Sequence, residues 1–173
     1  MSRTIAIALT GASGMPYGLR LIETVLASGC KAQVLYSQAA QVVIKQEFDL
    51  TLPSRVSEAQ AWFCEYFATD ESHLQVFGRE EWFAPLASGS NPPDAMVVCP
   101  CTMATLASIA AGLSSDLIER AADVCIKEGR RLVLVPRESP FSTLHLENML
   151  RLSRMGVVIL PPNPGFYHHP ETV

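Results

Sequence analysis

Charge is scarce in this sequence. Of its 173 residues 17% are charged, and the 13 lysines and arginines are scattered along the chain. Duplex nucleic acid is held through clustered positive charge, so nucleic acid is not an expected partner. Long apolar runs are missing as well. Nothing approaches the ~18 consecutive apolar residues of a transmembrane helix. The apolar stretch near the N-terminus, Ile5 to Leu9, is too short for a secretory leader. No membrane partner is expected. Cysteine is odd in number, with Cys30, Cys64, the Cys99/Cys101 couple and Cys125 widely separated along the chain. Reduced thiols in a cytoplasmic protein are the economical reading. Cys99-Pro-Cys101 has neither a second pair at zinc spacing nor the CxxC redox spacing, and His168-His169 reads as polar loop. No metal site is expected.

What is abundant is apolar: 49% of residues are hydrophobic, against a net charge of −4. The length suits one domain over residues 1–173, and the composition implies a surface covered by other subunits in a homo-oligomer. Thr4 to Thr10 reads as a strand buried on both faces. Pro16 suits the first turn of a helix that Ser28-Gly29 ends. Ala32 to Tyr36 is a second strand, Ser37 opens a helix to about Phe48, and Ser57 starts another. His73 to Phe77 is a short strand, Pro85 to Pro93 a loop, and Ala95 to Cys99 a strand leading to a helix through Ala111. Asp116 to Glu128 reads as helix, Leu132 to Val135 as strand, Leu144 to Met155 as helix, Val157 to Leu160 as strand, and 161–173 as loop. This alternation predicts an α/β fold: a doubly wound parallel sheet, Rossmann-like, with three α/β/α layers.

Ligands of such sheets sit at the carboxyl ends of the strands. Gly11-Ala-Ser-Gly14, just after the first strand, is either a backbone cradle for a phosphate at a helix N-terminus or a plain strand-to-helix turn. Three further absences narrow the ligand. Ser13 stands where GxGxxG has its second glycine. No acid for a ribose follows the second strand, which ends Tyr36-Ser37-Gln38. No GK[ST] follows the loop. A mononucleotide with one phosphate and a polyol remains, and FMN fits that description.

Joined to later segments, the loop resembles the UbiX-type flavin prenyltransferases. The matching pieces are Thr10-Gly-Ala-Ser-Gly14 with Tyr17-Gly18, Ser37, Ala87-Ser-Gly-Ser90, and Cys99-Pro-Cys-Thr-Met-Ala-Thr105. Asp116-Leu-Ile-Glu-Arg-Ala-Ala-Asp123, Lys127, Leu134-Val-Pro-Arg-Glu138, His145-Leu-Glu-Asn148 and Pro164-Gly-Phe-Tyr167 follow. Their order and spacing are specific, and they span the chain from Thr4 onward. The resemblance implies metal-independent transfer of a dimethylallyl group from dimethylallyl monophosphate to reduced FMN, a co-substrate. It implies a trimer-based dodecamer, and a UbiD-type decarboxylase, in ubiquinone or aromatic-acid metabolism, as recipient of the prenylated FMN. Members of the family once carried the label of aromatic-acid decarboxylase.

Carried over by motif, Gly11, Ala12, Ser13, Ser37, Thr102, Met103, Ala104, Thr105 and Arg137 would hold FMN, with Ser88 and Ser90 close to the flavin. Arg120, Lys127 and Tyr167 would address the allylic phosphate, some from a neighbouring subunit. Glu138 and Ser13 would be catalytic. The resemblance also implies a C-terminal helix with a basic phosphate-binding residue, which has no counterpart here. Each assignment has a plainer rival. Arg120 and Lys127 are also ordinary solvated helix positions, Glu138 a partner for Arg137, Tyr167 loop packing, His145 a structural helix residue, and Trp82 either a shield for the allyl cation or a core residue. Two other functions compete: a flavin-dependent cysteine decarboxylase, against which the absence of His after the second strand speaks, and a flavin carrier without chemistry.

Overall fold

The computed structural model describes residues 2–163, so Tyr167, His168 and His169 lie outside the described residues. Six strands form one parallel sheet: β1 (Thr4–Leu9), β2 (Lys31–Tyr36), β3 (Leu74–Phe77), β4 (Ala95–Cys101), β5 (Arg131–Pro136) and β6 (Val158–Ile159). Their order is β3-β2-β1-β4-β5-β6, the doubly wound order expected from the sequence. The helices are α1 (Met15–Ala27), α2 (Gln38–Phe48), α3 (Val56–Tyr66), α4 (Met103–Ala110), α5 (Leu117–Lys127) and α6 (Thr143–Arg154).

Alternation along β1 builds two cores. Ile7 and Leu9 point into a cluster with Met15, Leu19 and Ile22 of α1, Ile44 of α2 and Phe63 of α3. Ala6 and Ala8 point the other way, into a cluster with Leu106 of α4, Ile118 and Ala122 of α5 and Leu152 of α6. Each face of the sheet therefore has its own helical cover, which is why its central strands β1 and β4 read as near-continuous apolar runs.

The seam between β1 and β4 is where the winding reverses, and a buried hydroxyl fastens it. Thr10 Oγ1 donates to the Pro100 carbonyl at 2.8 Å and accepts from Thr102 N–H at 2.8 Å. β4 runs on through Pro100 to Cys101, further than its apolar run predicted, and its register against β5 shifts between Val98 and Cys101. The two ends of this seam carry the residues of interest. No helix among the described residues is long and apolar enough to cross a membrane.

Candidate functional site

A cleft of about 270 Å³ opens at the carboxyl end of the β1–β4 seam, lined by Gly11, Ser37, Arg79, Thr102, Ala104 and Thr105 among others. Three helices begin there. Ser37 caps α2 by accepting Ala40 N–H at 3.1 Å. Thr102 caps α4 by accepting Thr105 N–H at 3.1 Å, and its hydroxyl donates to Thr105 Oγ1 at 2.9 Å. Asp116 caps α5 by accepting Glu119 N–H at 2.9 Å. Positive helix ends and short hydroxyl side chains make the α2 and α4 side an anion site. Gly11 belongs there for steric reasons: a Cβ would collide with Ala39 Cβ and lie 3.2 Å from that residue's backbone.

The start of α1 departs from the expected phosphate cradle. Gly14 adopts φ 120°, open to glycine, and frees its N–H and that of Met15 toward one point. That point is occupied by the Glu47 carboxylate, which accepts Met15 N–H at 2.8 Å and Gly14 N–H at 3.0 Å. A side chain thus already neutralises this helix end, whereas the α2 and α4 ends open onto the cleft. Glu47 had no motif to reveal it in the sequence, because it acts from the far end of α2.

Arg79 was missed for a related reason. It sits just beyond β3, outside every quoted motif, yet it lines the cleft and donates to Asp116 Oδ2 from Nη2 at 3.0 Å and from Nε at 3.2 Å.

Arg137 ties the end of β5 to the glycine loop, its Nε donating to the Ser13 carbonyl at 3.4 Å. Ser13 itself is exposed, while Ala12 is buried beneath it. Glu138 does not pair with Arg137. Its Oε1 accepts the N–H of Ser139 at 3.0 Å instead. The expected residues Gly11, Ala12, Ser13, Ser37, Thr102, Met103, Ala104, Thr105, Arg137 and Glu138 thus gather at one end of the sheet.

Lys127 does not join them in the same chain. Lys127 ends α5, about 16 Å along the helix from Asp116 at ~1.5 Å per residue. It lies before β5, whereas Arg137 follows it, six strand residues and roughly 20 Å away at ~3.3 Å each. Arg120 donates to the Ala87 carbonyl at 3.0 Å and pairs with Asp123 at 2.9 Å. Lys127 pairs with Glu128. Ser88 and Ser90 share a hydrogen bond of 2.7 Å in the loop that α5 holds.

Other expectations resolve plainly. Trp82 is not a core residue: it is 46% exposed, next to a fully exposed Phe83. His145 is structural, accepting Ser142 N–H at Nδ1 while Ser142 Oγ accepts its own N–H. Cys99 and Cys101 are buried thiols. Burial pushes Cys99 up to about 11 and Cys101 further still.

The profile of the flavoprotein family matches residues 1–170. A flavin prenyltransferase UbiX from Pseudomonas aeruginosa is 52% identical over 169 residues, covering 98% of this chain and 81% of that protein. The chain belongs to the UbiX family of flavin prenyltransferases. Among solved structures, a dodecameric FMN-dependent UbiX-like decarboxylase from Escherichia coli O157:H7 is 42% identical with a TM-score of 0.85, over 98% of this chain and 85% of that one. AnUbiX in complex with FMN and dimethylallyl pyrophosphate is 39% identical with a TM-score of 0.87, over 100% of this chain and 85% of that one. A peptidyl-cysteine decarboxylase at 14% identity and a TM-score of 0.63 shares the fold alone. UbiX relatives thus carry the likeness in sequence as well as in fold, and the cysteine decarboxylases only in fold.

Proposed function

We propose that this chain transfers a dimethylallyl group from dimethylallyl monophosphate to reduced FMN, giving prenylated FMN for a UbiD-type decarboxylase, in the cytoplasm. The observation that carries the reading is the hydroxyl-lined cleft at the β1–β4 seam, with Ser13, Arg137 and Glu138 at the same end of the sheet. The cleft fits the phosphate end of FMN. It offers two helix N-termini, the hydroxyls of Ser37, Thr102 and Thr105, and close approach at Gly11 where a Cβ would not fit. Ala104 completes its wall, with Ala12 and Met103 buried behind the turns that form it, and Arg137 lies where the flavin would extend past Ser13. FMN, when bound and reduced, supplies the nucleophile that accepts the allyl group.

The chain's own residues handle the phosphate. An allylic monophosphate leaves readily only when its growing charge is neutralised away from bulk water, which guanidinium and ammonium groups do. Ser13 can donate its hydroxyl to a phosphate oxygen. Glu138 is held by Ser139 through Oε1, which leaves Oε2 to take or return a proton at that phosphate. Lys127, which ends α5 on the far side of β5 from Arg137, reaches the phosphate from a neighbouring copy in this reading, and Arg120, Ser88 and Ser90 approach the flavin and phosphate with it. Tyr167 belongs with them in this reading. The assembly in this reading is a homo-oligomer, a dodecamer built from trimers. Support comes from the exposed apolar groups Trp82, Phe83, Leu144, Leu146 and Leu150, which contact with another subunit would cover. No metal takes part in the proposed transfer.

Incubation of the protein with reduced FMN and dimethylallyl phosphate, followed by mass measurement of the flavin, tests the reading. A gain of one dimethylallyl group is expected; an unchanged flavin mass rejects it. Glu138→Gln is expected to keep FMN and lose the mass gain.

A further inference from the structure

Both cations assigned to the allylic phosphate are already engaged by carboxylates of their own helix. Arg120 and Lys127 lie two turns apart on α5. Asp123, between them, takes Arg120 Nη1 at 2.9 Å, and Glu128, at the helix end, takes Lys127. The pairs share a wall. Arg120 Nε grips the Ala87 carbonyl at 3.0 Å, and two residues on, Gly89 leaves room for the second pair. A Cβ on Gly89 would come within 2.5 Å of Lys127 Nζ and would overlap the Glu128 carboxylate. The loop and helix therefore form one strip of alternating charge, with every cation matched.

The arrangement is more than a stability device. Side chains in both pairs keep between 33% and 45% of their surface in water, and pairs so exposed hold weakly. They are easily opened by a stronger anion. A phosphate monoester brings more charge and more acceptor oxygens than one carboxylate, and it competes for the same N–H donors.

We infer that Asp123 and Glu128 are resident counter-ions that compete with the phosphoester for Arg120 and Lys127. They hold the two cations in place before substrate arrives, limit how tightly it is taken up, and reclaim the cations as inorganic phosphate leaves. This rests on the reading that Arg120 and Lys127 bind that phosphate. It makes the two acids tuning residues that need not touch the reacting atoms. The Lys127 ammonium holds the Glu128 carboxyl below its ordinary range, which keeps it charged for this part.

The test uses the FMN-loaded, assembled protein and inorganic phosphate as the probe. Asp123→Asn and Glu128→Gln remove one charge each while keeping shape. Calorimetric titration should show phosphate bound about two- to fivefold more tightly in each at low ionic strength, the range of an exposed pair. The gain should shrink as salt is added. Product inhibition by phosphate should rise in step. Arg120→Ala and Lys127→Ala form the second arm and should weaken phosphate binding. If they do, and both acid variants bind phosphate no more tightly than the parent, the counter-ion role is wrong while the phosphate site stands. If the cation variants leave phosphate affinity unchanged, site and counter-ion role fall together. Should Asp123→Asn not fold, Glu128→Gln at the helix end carries the test alone.

Discussion

The Glu47 carboxylate accepts the N–H of Met15 at 2.8 Å, so the last turn of α2 caps the first turn of α1. This single side chain satisfies donors that no cap within α1 reaches, since Gly14 has no side chain. Replacing it by Ala leaves the helix N-terminus facing water beside the glycine loop. Glu47→Ala should cost about 1 kcal/mol, the usual worth of an N-terminal cap, read by urea denaturation. Glu47→Gln keeps an acceptor without the charge and should lose less. Equal losses in the two variants would show that charge contributes nothing at this helix end.

Gly11 packs its bare α-carbon against the first turn of α2. A methyl group there must push Ala39 away, and with it the capped end that Ser37 begins. Overpacking of this kind costs about 1–3 kcal/mol. The larger effect should fall on the ligand, because the displaced turn forms the cleft wall. Gly11→Ala should therefore weaken FMN uptake tenfold or more, on the order of 1.4 kcal/mol, while circular dichroism still shows a folded protein. Fluorescence quenching of added FMN measures the first quantity. Undiminished uptake would place the phosphate away from Gly11.

The sheet was legible because each strand is covered on both faces. Thr4 to Thr10 read as an interior run, and Ser28-Gly29 marked the end of the helix before its neighbour β2. The cleft was half legible. Ser37 and Thr102 follow strands directly, so chain order alone put them at the sheet's edge. Glu47, Arg79 and Thr10 were not legible as site residues, since each acts across the fold. Glu47 reaches α1 from the end of α2, Arg79 comes from beyond β3, and Thr10 bonds into β4. Arg120 and Lys127 were named in sequence, but only the directions of α5 and β5 reveal that Lys127 lies at the other end of β5 from Arg137. Their carboxylate partners, Asp123 between them and Glu128 at the helix end, are likewise a fact of helix geometry.

Ser37 has two tasks that one substitution separates. Its hydroxyl caps α2, and its position faces the cleft. Ser37→Ala should lower stability by about 1 kcal/mol through the lost cap and weaken FMN as well. Ser37→Asp restores a capping oxygen but sets a negative charge where the flavin phosphate belongs. Stability should return while FMN binding falls further. Melting curves and FMN titrations on both variants check this, and an aspartate variant that binds FMN as well as the parent would remove the phosphate from the α2 terminus.

Burial holds the thiols of Cys99 and Cys125 up at about 11, from an ordinary value of 9.0, and raises Cys101 beyond them. The folded state therefore favours the neutral thiol. The unfolded chain loses these protons at lower pH than the folded chain does. Stability from the three groups is complete below about pH 9 and drains away as pH climbs toward 11. Urea midpoints should fall across that window, and replacing Cys125 by Ala should flatten part of the fall. At pH 8 a thiol reagent should reach Cys30 and Cys64, which are partly exposed, and leave Cys99, Cys101 and Cys125 untouched until the protein is denatured. Rapid labelling of all five in the folded protein would mean that the β4 thiols are open to solvent, and the packing of the β1–β4 seam described above would have to be redrawn.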